Sequence, residues 1–182
     1  EGKKVISVIE DELMKCDQFQ ISVAFITMGG ITPLLQTLKE LEKRQIPGQI
    51  LTTNYLNFSE PRALKKLQEL SNVTLKMYDV DRADQGFHTK GYIFKKEEIY
   101  RIIIGSSNIT SAALTKNKEW NTKIVSTEQG EIAMEIVKEF RQLWDSKYAL
   151  FYDDFYENYK QKYEIIKKQR EIAKRDLSLI HI

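Results

Sequence analysis

Cysteine and histidine are scarce in this chain. A single cysteine, Cys16, in 182 residues excludes an internal disulfide framework and a cysteine-rich zinc site. Two histidines, His88 and His181, are too few to hold a metal ion by imidazoles alone within one copy, and no cofactor is expected. Eight glycines and three prolines are too few for a fibrous chain or a long flexible linker. No apolar run approaches the ~20 residues of a membrane span, so no membrane partner is expected. Neither charge dominates: 28 basic against 26 acidic residues leave a net +2, and bulk charge alone does not announce a nucleic-acid binder. The start carries neither an initiator Met nor a signal-peptide pattern, which reads as a cytoplasmic fragment or processed chain.

What is present is ordinary globular composition, 42% hydrophobic and 30% charged. The length fits one domain, or one with a short appendage, able to bury about two-thirds of its unfolded surface. Val5, Ile6, Ile9 and Leu13 are spaced for one helix face, and Phe19, Ile21, Val23 and Phe25 alternate as a strand. Met28-Gly29-Gly30 breaks that strand, and 31–43 predicts a helix with Leu34, Leu35, Leu38 and Leu41 inward. Pro47-Gly48 is a turn, 49–53 a short strand, and Ser59 with Pro61 predicts a capped helix start running to about Leu70. Val73, Leu75 and Met77 make a third strand. Strands separated by single helices predict parallel pairing. Runs at 87–95 and 99–105, joined by Lys95-Lys96-Glu97-Glu98, predict an antiparallel hairpin. A helical turn over 108–114, a strand over 118–125 and a helix over 131–144 follow. The expected class is α/β, a mixed and mostly parallel sheet with helices on both faces, occupying 1–147. Residues 148–182 form a helical tail or a linker to a further domain. Residues 157–176 hold seven Lys/Arg and four Asp/Glu, which reads either as the solvated face of a helix packed by Tyr159, Tyr163 and Ile166 or as a basic arm touching phosphates.

The chemistry is concentrated in Phe87-His88-Thr89-Lys90-Gly91-Tyr92-Ile93-Phe94, then Gly105-Ser106-Ser107-Asn108, then Glu119. On a strand, His88 and Lys90 project to one side, and the returning hairpin can bring Ser106 and Asn108 beside them, with Glu119 opening the next strand. These types suit attack on a phosphodiester. A neutral imidazole is a competent nucleophile near its pKa of ~6.5. A carboxylate, here Glu119, fixes its tautomer and stabilises the imidazolium. Lys90 and Asn108 donate to phosphoryl oxygens as charge builds, and Ser106 donates too or orients a neighbour.

Each residue has a plainer reading. His88 fits a satisfied core histidine, Lys90 a surface strand lysine, Asn108 a helix cap, Ser106 a turn residue and Glu119 an edge-strand charge. Cys16 reads as structural, and His181 as tail. Gly29-Gly30 serves either a turn or a phosphate at a helix start. Gly105, Thr53 and Asn54 are candidate substrate contacts, the last two because Thr52-Thr53-Asn54-Tyr55 follows a short strand.

The order His-x-Lys, Gly-Ser-x-Asn, then Glu-Trp resembles the phospholipase D (HKD) superfamily, most of all its short nuclease-type members and the domains attached to bacterial helicases or restriction proteins. The resemblance covers roughly residues 5–145. One position departs from it: the family has an Asp five residues after the Lys, where this chain has Lys95. The resemblance implies a phospholipase D-like fold and metal-independent phosphodiester hydrolysis through a phosphohistidine at His88, with nucleic acid, DNA favoured, as substrate. It also implies two motifs per site. This chain has one, so a homodimer sharing the site is expected, with a fused helicase or restriction domain as a further partner. Two alternatives stand beside it: a non-catalytic nucleic-acid-binding or targeting module of such a larger protein, and a lipid or other phosphodiester hydrolase, against which the missing signal-peptide pattern and the lack of an apolar lid in the sequence argue.

Overall fold

In the computed structural model, residues 4–85, 90–116 and 119–180 are described. The predicted first helix is α1 (Val5–Lys15), which buries Ile9 and Leu13. The first strand, β1, covers only Gln18–Ser22. Its alternating pattern runs on to Phe25, but the amide groups of Ala24 and Phe25 turn to a side chain instead of a neighbouring strand. Met28-Gly29-Gly30 does not merely break the chain. It lies in a one-turn helix, α2 (Met28–Ile31), capped by the Thr27 hydroxyl, which accepts from the Gly30 N–H at 3.2 Å. A tightened turn at Thr32–Leu34 containing Pro33 leads into α3 (Leu35–Lys43).

β2 (Gly48–Thr53), α4 (Pro61–Gln68) and β3 (Val73–Tyr78) follow as predicted. The cap of α4 is Glu60, not Ser59. The Ser59 hydroxyl is buried and accepts from the Ile26 N–H at 3.0 Å, so a residue of capping type serves a tertiary contact. A single turn, α5 (Val80–Ala83), precedes the hairpin of β4 (Gly91–Lys96) and β5 (Ile99–Gly105), whose turn holds Glu97 at φ 52°. The expected strand residues 87–89 lie outside the described residues. The helical turn expected over 108–114 is a π-turn at Ala112–Lys116, and Thr110 rather than Asn108 caps it by accepting from Ala113 N–H at 3.2 Å. β6 spans Asn121–Thr127, with Lys118 outside the described residues, and α6 spans Glu131–Trp144. The tail opens with an unforeseen short strand, β7 (Ala149–Phe151), and continues as α7 (Tyr152–Ile180). No helix of the described residues is long and apolar enough to cross a membrane.

The seven strands lie in the order β6-β5-β4-β1-β2-β3-β7. The sheet is mixed as expected, but not mostly parallel: β1–β2 and β2–β3 are parallel, and the other four pairs are antiparallel. The hairpin and β7 account for the excess. α1, α3, α4 and the first turns of α7 pack on one face with Phe19, Ile21, Ile50 and Phe94. α6 packs on the other with Leu51, Ile93 and Ile102. The buried Lys76 ammonium holds the end of α6 by donating to the Trp144 carbonyl at 2.8 Å, 4.3 Å from the Phe151 ring. Phe155 and Tyr159 of α7 are buried in the first core, so the predicted tail is anchored there. The pairing has one consequence for function. Ser22 lies opposite Gly91, Gly91 opposite Ile104 and Gly105 opposite Asn121, so the ends of β1 and β5 and the starts of β4 and β6 share one end of the sheet.

Gly30 is required by close approach, not by a turn: a Cβ there would sit 2.1 Å from the Ile109 carbonyl oxygen. Gly30→Ala is expected to lower the unfolding free energy by about 1–3 kcal/mol, read from the urea midpoint. An unchanged midpoint would contradict this packing. Burial pushes the Cys16 thiol up to about 11, and it donates to the Leu13 carbonyl. Folding therefore favours the protonated thiol. Its contribution is complete below the unfolded pKa of ~8.5 and is lost as pH rises towards the folded value. At pH 8, Cys16 is expected to resist a disulfide reagent in the native protein and to react on unfolding.

Candidate active site

The sheet end just described carries most of the residues singled out in sequence. His88 lies outside the described residues. Lys90 is half-buried one position before β4, and its carbonyl accepts from the Gly105 N–H at 3.2 Å. From there β5 ends in a tight loop. A Cβ on Gly105 would lie 2.0 Å from the Trp120 carbonyl oxygen and 2.4 Å from Asn121 Oδ1, so glycine lets the two strands close.

Ser106 is knitted to the residues that precede β6. Its N–H donates to the Trp120 carbonyl at 3.1 Å, its oxygen accepts from the Trp120 N–H at 3.3 Å, and its hydroxyl donates to the Glu119 carboxylate. Ser106 and Glu119 therefore meet, as the spacing suggested. Behind them, the Tyr92 hydroxyl donates to the Ser107 carbonyl at 2.9 Å. Burial, with a smaller effect from the negative charge of Glu119, holds this phenol well above its usual range.

Asn108 does not cap a helix. Its Oδ1 accepts from the Ala24 N–H at 2.9 Å and the Phe25 N–H at 3.1 Å. Two donors demand the oxygen at that position, which leaves the amino group as the part of the side chain free to face a substrate. Thr53 and Asn54 lie at the same sheet end but are engaged within the fold. The buried Thr53 hydroxyl donates to the Ala24 carbonyl and accepts from the Tyr55 N–H. Asn54 bonds the Asp79 carboxylate and the Val80 N–H, at a cleft towards α7. Neither is brought to Ser106 and Glu119.

Sequence reasoning passed over Asn121 and Ser107. Asn121 Nδ2 donates to the Ser107 hydroxyl at 3.0 Å, while its Oδ1 is buried with no hydrogen-bond partner among the described residues. The one available signal was position, since Asn121 directly follows Glu119-Trp120.

A family model described as "Cardiolipin synthase, PLD-like domain" matches residues 9–144. The chain belongs to this phospholipase D-like family. The match spans the sheet end from β1 to β6. Among solved structures, it is similar to phosphatidylserine synthase from Haemophilus influenzae Rd KW20, with a TM-score of 0.64 and 14% identity over 97% of this chain and 46% of that one. It is also similar to polyphosphate kinase from Porphyromonas gingivalis, with a TM-score of 0.58 and 11% identity over 80% of this chain and 22% of that one. These likenesses show the phospholipase D-like fold, and the chain spans less than half the length of either protein. No curated protein matches it.

Asn108→Ala leaves two amide groups without their acceptor and is expected to lower stability by about 1–3 kcal/mol. Asn108→Asp keeps the acceptor and is expected to unfold within about 1 kcal/mol of wild type. Urea titration of the pair checks this, and equal losses would show that the acceptor oxygen is not what matters.

Proposed function

We propose that this phospholipase D-like domain hydrolyses phosphodiesters of nucleic acid, DNA foremost, through a phosphohistidine at His88 in a site shared by two copies. One observation carries the reading. The Ser106–Glu119 pair and Asn108 occupy the sheet end at which β4 begins, directly after His88-Thr89-Lys90. A His88 imidazole nitrogen attacks phosphorus, forming a P–N bond as the P–O bond to the leaving group breaks. His88 of the second copy protonates the leaving oxygen. It then takes a proton from the water that attacks phosphorus and frees the first imidazole. Ser106 orients Glu119, whose carboxylate fixes the tautomer of the imidazole. Lys90 and the Asn108 amino group donate to the phosphoryl oxygens.

A second reading has its own support. The family description names cardiolipin synthase and one structural neighbour is phosphatidylserine synthase, which favours a phospholipid as the phosphodiester. A substrate panel in EDTA separates the two: single-stranded DNA, duplex DNA, RNA and vesicles of anionic phospholipid, each with wild type and His88→Ala. Cleavage of DNA that falls to background in His88→Ala supports the proposal. Turnover of lipid alone supports the second reading, and cleavage unchanged in the variant removes His88 from the mechanism. Asn108→Asp is expected to lower turnover by about 10²-fold or more, because a donor to the phosphoryl group is lost. Sedimentation at active concentrations is expected to show a dimer, and monomer alone would contradict the shared site.

A further inference from the structure

Two sets of exposed rings flank the candidate site. On one side stands Trp120, 89% exposed although its backbone is bonded to Ser106 in both directions. On the other side the loop after β2 presents Tyr55, Leu56 and Phe58, each about two-fifths exposed or more. Tyr55 stacks on Phe25 with ring centres 6.2 Å apart, and Phe58 meets Phe25 edge-on at 5.1 Å. Because the Phe25 N–H is held by Asn108, this cluster is fixed to the loop that carries the site. Leu56 and Asn57 adopt φ of 52° and 50°, a left-handed conformation that is costly for leucine, and Leu56 is exposed.

The basic helix reaches the same cluster. The Arg170 guanidinium lies 4.5 Å from the Phe58 ring and donates to the Leu56 carbonyl. It belongs to the 157–176 segment, with its seven basic against four acidic residues. From β6 to β2 are four strand spacings, a path of roughly 19 Å. Rings on either side of a phosphodiester site, with cations alongside, match the way unpaired nucleotides are held: bases stack on the rings and phosphates follow the cations. A duplex keeps its base faces inside the stack and cannot use the rings. A membrane surface also takes exposed aromatic residues beside basic helices. Here, however, the two sets are separated by the polar Ser106, Asn108 and Glu119, not joined in one apolar face.

We propose that the domain binds single-stranded nucleic acid across the sheet end, with one base stacked on Trp120 and another on the Tyr55–Phe58 cluster. This rests on the nucleic-acid reading above and adds the strandedness of the substrate. The chain has two tryptophans, and the other, Trp144, is 7% exposed, so quenching by added ligand reports Trp120. The test titrates the full chain, in the His88→Ala background to prevent cleavage, with a labelled deoxyoligonucleotide, single-stranded or annealed to its complement. Circular dichroism and the urea midpoint confirm that each variant is folded. Single strands are expected to quench the emission and to bind about tenfold tighter than duplex or more. Trp120→Ala should abolish the quenching and weaken single-strand binding by about five- to a hundredfold. Tyr55→Ala should weaken it similarly, with Tyr55→Phe restoring it. Equal binding of both forms, unaffected by Trp120→Ala, overturns the stacking proposal and leaves the nucleic-acid reading standing. Binding to anionic phospholipid vesicles and to neither oligonucleotide overturns both. A blue shift on concentrating the protein alone assigns Trp120 to an interface between copies and also overturns the proposal.

Discussion

Two backbone amides on the loop leaving β1 share one acceptor, the side-chain oxygen of Asn108, and much of the molecule is arranged around that bond. The Ile109 N–H donates to the Phe25 carbonyl and the Thr27 N–H to the Ile109 carbonyl, so the two loops run side by side. Gly30 lies against the same carbonyl with no room for a side chain. The loop before α4 hangs from the first loop, through Ser59 and Glu60 on Ile26. The Tyr159 hydroxyl, donating to the Ser59 carbonyl at 2.6 Å, adds α7 to the series. A path of hydrogen bonds therefore leads from the candidate site to the basic helix, part-buried at Asn108 and buried at Ser59 and Tyr159, where a bond left unmade is costly.

The same bonds decide which atoms remain available for chemistry. An asparagine whose carbonyl half holds two amides has its amino half oriented by the fold, so its donor is pre-set without further ordering. Ser106 is different. Its hydroxyl donates to Glu119 and its oxygen accepts from the Trp120 N–H, which commits it to placing the carboxylate. From sequence this serine could be a phosphoryl donor, an orienter of a neighbour or a turn residue, and its hydrogen bonds run to Glu119 and Trp120. Thr53 and Asn54 sit at the right end of the sheet, but their hydrogen bonds close the loops beside β2 and β3.

The regular elements were legible because burial imposes a period: α1, α3, α4, α6 and the hairpin follow from their apolar spacing. Two of the misreadings share one cause. Where a residue's partner lies far along the chain, local pattern carries no trace of it. The alternation that ends in Phe25 looks like strand until Asn108, 83 positions later, takes its amide. Ser59 has the look of a cap until its hydroxyl meets Ile26, 33 positions earlier. β7 is three residues long, too short for an alternation to register. The candidate site was legible as an ordered set of residue types. Its supporting contacts, Tyr92 to Ser107 and Asn121 to Ser107, were not, because serine, tyrosine and asparagine serve equally well in ordinary turns and cores.

Sequence also made the C-terminal segment look separable, and its composition does change there. Its burial is not uniform. The first turns of α7 are core, through Phe155 and Tyr159, while 171–178 are exposed throughout. Arg170 stands at the change, bonded to the loop that carries Phe58. The helix is rooted in the same core as the sheet and crosses the loop beside the candidate site before its charged end leaves the fold. A cationic segment held this way loses less freedom when it meets a phosphate chain than a flexible tail would, since the core has already ordered it. On the reading proposed above, its position relative to Asn108 is set by the buried path through Ile26 and Ser59, so the charge that draws a strand in and the donors that meet its phosphate belong to one rigid frame.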